Sequence, residues 1–141
     1  MKLFPDALLC LLAASSGLAI GCSNNSDRQS ISGTVTFEGQ PLKKGVISFV
    51  PLAGTSSPTA GANIVDGQFA IPAEGGAFVG SFLVTIKAFR PTGKKIRDPM
   101  WDTMVDEYKQ YLPSRYNSAS EEEVNIQRGE ANRFEFALAS Q

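Results

Sequence analysis

Ile31-Ser32-Gly33-Thr34-Val35-Thr36-Phe37-Glu38-Gly39-Gln40-Pro41 decides the fold of this 141-residue chain. Ile31, Gly33, Val35 and Phe37 alternate with Ser32, Thr34, Thr36 and Glu38. Alternation at period two makes a strand with one face buried and the other wet. Gly39-Gln40-Pro41 ends it, and a second apolar run, Gly45 to Val50, stops at Pro51. Ala53 to Thr59, rich in Gly, Ser, Thr and Pro, reads as a loop. Ala60 to Val65 and Gln68 to Ile71 flank Asp66-Gly67, a dipeptide that suits the left-handed positions of a tight hairpin. Pro72 to Gly80 is a second loop. Ser81 to Phe89 is apolar on both faces and reads as the central strand. At the far end Glu123 to Gln127 alternates, Arg128 to Asn132 turns, and Phe134, Phe136 and Leu138 form one inward set. Seven short strands with frequent turn signals predict an all-β domain, a seven-stranded Greek-key β-sandwich over 31–141.

One connection breaks this rhythm. Arg90 to Ser120 is far longer than a typical loop. Within it Trp101, Met104, Val105, Tyr108 and Leu112 fall at i, i+3, i+4, i+7 and i+11, which predicts a short helix over 96–112. Such a helix would lay its apolar stripe on the sandwich, with Trp101 packed and Tyr111 off the stripe and free. The functional reading of the same segment is a partner-binding face. It carries the only Trp and all three Tyr, so Trp101, Tyr108, Tyr111 and Tyr116 are the candidate binding surface.

Composition bounds the chemistry. The formal net charge is -1 and the pI about 5.4, which removes the broad electrostatic basis for nucleic-acid binding. There is no histidine and there are only two Cys, so His-based triads, His-ligated zinc and a four-Cys zinc site are excluded. Asp98, Asp102, Asp106 and Glu107 lie close in sequence but fit no EF-hand spacing, and they read as solvated charges. Glu121-Glu122-Glu123 reads as an exposed strand start that discourages edge pairing. Arg90, Gly93-Lys94-Lys95, Arg97 and Arg115 lack the full phosphate-loop pattern, so a solvated loop is preferred to a basic edge facing anionic lipid or polysaccharide. No catalytic residue, metal or cofactor is therefore assigned.

The first thirty residues read as targeting sequence. Lys2 precedes a mostly apolar run from Ala7 to Ile20, too short for the roughly 20 residues of a spanning helix. Ile20-Gly21-Cys22 resembles the lipobox of bacterial lipoproteins, although Ala19 stands where Leu is usual. The resemblance implies a signal peptide over 1–21, a diacylglyceryl group on the Cys22 thiol and acylation (palmitate or a similar chain) of the new amino group. Two chains suffice for stable anchoring. The alternatives are an ordinary secretory signal with a chance Cys and a Cys10–Cys22 disulfide, the latter disfavoured because Cys10 lies inside the leader. Residues 23–30 contain no apolar side chain, so 22–30 reads as a lipidated tether. By the same resemblance, Ser23 after the cysteine favours the outer membrane, on its periplasmic or surface face.

The domain itself resembles the carboxypeptidase-regulatory-like, or transthyretin-like, family. The carriers are Gly39-Gln40-Pro41-Leu42, Gly45-Val46-Ile47-Ser48-Phe49, the Asp66-Gly67-Gln68-Phe69-Ala70-Ile71 hairpin, Gly80-Ser81-Phe82-Leu83-Val84, and Leu112-Pro113-Ser114-Arg115-Tyr116-Asn117. The resemblance implies the sandwich and little chemistry. Transthyretin-like hydrolases depend on histidines and a C-terminal Tyr-Arg-Gly-Ser, and this chain has neither. The expectation is a lipid-anchored, extracytoplasmic, non-catalytic module acting in binding or envelope structure. Its partners would be the membrane, through Cys22, and an envelope protein or polysaccharide. The alternative is a carboxylate-based envelope hydrolase, which needs two carboxylates converging in a concave pocket.

Overall fold

The structure is a computed structural model and describes residues 27–141. Cys22, the leader over 1–21 and the start of the tether lie outside the described residues. The chain is all-β. Strands β1 (Ile31–Phe37), β2 (Gln40–Pro41), β3 (Lys44–Pro51), β4 (Ala60–Val65), β5 (Gln68–Ile71) and β6 (Gly80–Lys87) are followed by β7 (Phe89–Arg97) and β8 (Met104–Gln110), then β9 (Glu123–Ile126) and β10 (Asn132–Leu138). Two three-residue 3-10 turns, Ala73–Gly75 and Ser114–Tyr116, are the helical elements among the described residues.

The main sheet runs β10-β1-β5-β4-β3-β6-β9, with β2 paired to β1. β1 and β10 are parallel, in register from Ile31–Asn132 to Phe37–Leu138; the other pairs of this sheet are antiparallel. The sheet curls strongly. β3 and β10 are four steps apart in that order, which in a flat sheet is about 19 Å, yet the Phe49 and Phe134 rings lie 6.1 Å apart. Curling lets the inward residues of every main strand meet in one core, including Ile31, Val35, Ile47, Phe49, Ile64, Phe69, Phe82, Val84, Ile86, Ile126, Phe136 and Leu138.

Local chemistry explains the turns. Asp66 (φ 49°) and Gly67 (φ 77°) both take the left-handed region that a two-residue hairpin demands, and they join β4 to β5. A Cβ on Gly67 would also meet Pro41 at 2.7 Å, because the Leu42 carbonyl accepts from the Gly67 amide across that turn.

Two expectations are corrected. Ser81 to Phe89 is not the central strand: β6 ends at Lys87, has only β9 beyond it, and alternates buried and half-buried positions. The helix expected over 96–112 is absent; that segment forms the last two residues of β7, a turn and β8, part of an antiparallel hairpin. Of the apolar stripe only Leu112, beyond β8, reaches the core, so the helical spacing marked no shared buried face.

Candidate functional site

The β7–β8 hairpin is an arm. Every residue of β7 is exposed, and in β8 only Glu107 and Gln110 are half-buried. At its root the Ala88 amide donates to Gln110 Oε1 (2.8 Å), and the Tyr111 amide donates to the Ala88 carbonyl (3.1 Å). Cross-strand pairs hold it: Lys95 with Asp106 (3.8 Å), Ile96 opposite Val105, and the Thr92 hydroxyl donating to Glu107 Oε2 (2.6 Å). A register shift between Pro91 and Lys95 twists the arm midway.

The apex is a locked turn. Asp98 Oδ1 accepts the amides of Met100 (2.8 Å) and Trp101 (3.2 Å), and the Asp102 amide donates to the Asp98 carbonyl (2.9 Å). Asp102 adopts φ 53°, and Arg97 Nη2 donates to its Oδ2 (2.8 Å). An aspartate that caps its own turn is a local substitute for secondary structure. The result presents Met100 and Trp101, 78% and 74% exposed, at the outermost point. Phe89, Ile96, Met104, Val105 and Tyr108 are exposed along both faces of the arm behind them.

The four aromatic residues of the candidate surface are not brought together. Trp101 stands at the apex, and Tyr108 (60% exposed) stands on β8. Tyr111 is half-buried at the root, packed on the core with its ring edge-on to Phe37 at 5.8 Å and Arg90 over it at 5.5 Å. Tyr116 is half-buried in the second 3-10 turn; its Oη accepts the Ala139 amide (3.0 Å), which holds the phenol below its ordinary pKa, and Arg115 lies over the ring at 4.8 Å. The expected roles of Trp101 and Tyr111 are thus reversed: Trp101 is free and Tyr111 is packed. Strand geometry explains this, since Trp101 falls in a turn beyond the sheet, whereas Tyr111 rejoins it.

The carboxylates Asp98, Asp102, Asp106 and Glu107 all lie on the arm, tied up in the turn and cross-strand contacts above, and they do not converge in a concavity. Among the described residues no three His, Cys, Asp or Glu side chains are grouped to hold a metal ion. A separate depression of about 140 Å³ opens between β6 and β10. Val84, Ile86, Phe136 and Leu138 line it, with Tyr116, Ser120, Glu122 and Glu135 around them. Sequence reading missed both Met100 and this depression. The Asp98-Pro99-Met100-Trp101-Asp102 turn signal was available for the first, whereas the second depends on which strands end the sheet.

Comparison with known proteins gives no match: no family model, no curated protein and no solved structure is similar to this chain. Among the described residues no helix is long and apolar enough to cross a membrane.

Proposed function

We propose that the chain is a lipid-anchored, extracytoplasmic binding module of the cell envelope, non-catalytic, that grips its partner with the β7–β8 arm. In this reading the curled sheet is a seven-stranded, transthyretin-like sandwich of carboxypeptidase-regulatory-like type, and Cys22 carries the lipid. The observation that carries the proposal is the apex. A hydrogen-bonded turn holds Met100 and Trp101 in solvent, where they contribute nothing to the core. A turn whose backbone is already fixed loses little backbone entropy on binding, and large exposed aromatic side chains are usual anchors of interfaces. Apolar residues on both faces of the arm fit insertion into a cleft better than laying one face on a flat surface.

Trp101 is the only tryptophan, so its emission reports the apex directly. Lipidated protein extracted from membranes, mixed with envelope fractions, should show a blue-shifted emission. Met100→Ala should weaken that response, and Trp101→Ala should abolish capture of the fraction. Protease treatment of the fraction separates a protein partner from a polysaccharide. Equal capture by wild type and Trp101→Ala would remove the arm from the function.

A further inference from the structure

The main sheet has an unfinished side. β10 ends the strand order, and among the described residues no strand pairs with its other edge. Hydrogen-bond parity shows which groups are left. The Leu138 carbonyl accepts the Glu38 amide on the β1 side, whereas Ala139 points away from β1, its amide donating to Tyr116 Oη and its carbonyl accepting from Arg115. Alternation along the strand then turns the amides and carbonyls of Glu135 and Ala137 to the free edge. Both residues line the depression. On the opposite wall the Val84 amide donates to the Glu122 carbonyl, and the Ala88 amide donates to Gln110. Ile86, midway between them, turns its amide and carbonyl the same way, into the gap. Backbone groups at a partly enclosed site need partners.

We propose that this seam takes an extended segment of another polypeptide, one alternating apolar and basic side chains, added as a strand along β10. The proposal does not depend on the arm. Backbone bonds would go to Glu135 and Ala137, and one apolar side chain would enter the 140 Å³ depression over Val84, Ile86, Phe136 and Leu138. Charge selects the basic residues. Glu122 and Glu135 stand at the opening, and Glu121 and Glu123 are exposed beside it. Of the nearby cations, Arg115 is engaged with the Ala139 carbonyl and the Tyr116 ring, and Arg133, two residues before Glu135, is a single positive charge against four glutamates. A second copy of the chain fits poorly: antiparallel pairing of two β10 strands centres Glu135 on Glu135, and like charges directly opposite are destabilising. Residues 23–30 offer no apolar side chain, and Gln29 is bridged to Ala77 at the other end of the sheet.

The test uses the full chain in detergent and a capped hexapeptide of alternating Val and Lys, titrated by fluorescence polarisation. Saturable binding is expected, with no binding of the Val/Glu peptide or of a Val/Lys peptide N-methylated on its pairing edge. Ala137→Pro removes only an edge amide, leaving the β1 ladder intact, and should weaken binding about five- to tenfold. Glu135→Gln and Glu122→Gln, which remain foldable if the proline variant is not, should each weaken binding and flatten its salt dependence. Absence of saturable binding at millimolar peptide overturns the proposal. So does binding indifferent to both Glu135→Gln and peptide N-methylation, or a chain dimer that pairs through β10 and excludes the peptide.

Discussion

Gly33 lies buried on β1, in register with Phe134 of β10. A Cβ there would be driven into the Phe134 backbone carbonyl and would meet the Phe69 ring at 2.9 Å. Backbone cannot step aside as a flexible side chain can, so Gly33→Ala should cost about 1–3 kcal/mol, read from the denaturant midpoint. Trp101 and Tyr111 give the opposite contrast. Trp101→Ala should leave stability within about 0.5 kcal/mol, as at other exposed positions, while Tyr111→Ala, which loses Phe37 and the core, should cost roughly 1–3 kcal/mol. Equal losses at both would mean that the arm folds back onto the body. Glu38 supplies a pH-dependent contact at the C-terminus. The Ser140 side chain and amide, with help from Arg115, hold its carboxyl below the ordinary 4.5. A depressed carboxylate contributes stability that is complete above its ordinary value and lost as pH falls through the folded value. The Ser140 amide resonance should therefore shift in acid, below about pH 4.5, and that shift should vanish in Glu38→Gln.

At the scale of elements, legibility followed burial. Ile31 to Phe37 and the Asp66-Gly67 hairpin were readable because each residue answers to a local rule: alternation against a core, or φ > 0 in a turn. The arm was misread for the converse reason. Trp101, Met104, Val105, Tyr108 and Leu112 matched a helical period, but only Leu112 is buried, so the spacing recorded no shared face. The informative signals were pairwise and lay across the turn: Lys95 with Asp106, Ile96 with Val105, and Asp98 closing on Asp102. Nor could the seam be seen, since strand order, not strand content, leaves the outer edge of β10 without a partner strand among the described residues. Because Phe89 pairs with Gln110, the arm can be excised at its root. Replacing residues 90–109 by Asn-Gly should preserve the far-UV spectrum of the body and a single cooperative unfolding transition. The same deletion should abolish the Trp101-dependent response. Loss of cooperativity would show that the arm is part of the core.

At the scale of the molecule, the strand registers put the start of β1 and the root of the arm at opposite ends of the sheet. Gln29 bridges Ala77, Asp27 pairs with Arg128 at 2.9 Å, and Arg28 lies over Phe78 at 5.4 Å, all at the end of the sheet where β1 and β10 begin and where β6 starts beside β9. β6 then runs the length of the sheet to Lys87, paired with Val46, before the arm leaves from the opposite end. The arm adds about 25 Å, from the seven residues of β8. If Cys22 is lipidated, only four residues separate it from Asp27, five Cα steps that span at most about 18 Å. The start of β1 is thereby kept near the anchoring bilayer, with the arm rooted at the far end of the body. This geometry makes the sole tryptophan a test of orientation. Native protein reconstituted into vesicles containing brominated lipid should show no quenching of Trp101 emission, while acrylamide in the buffer should quench it fully. Cys22→Ala should lose acyl labelling and float with no vesicles, yet show the same acrylamide quenching. Strong quenching by the brominated lipid would place the apex in its own membrane and make Met100 and Trp101 a lipid contact instead of a grip on a distant partner.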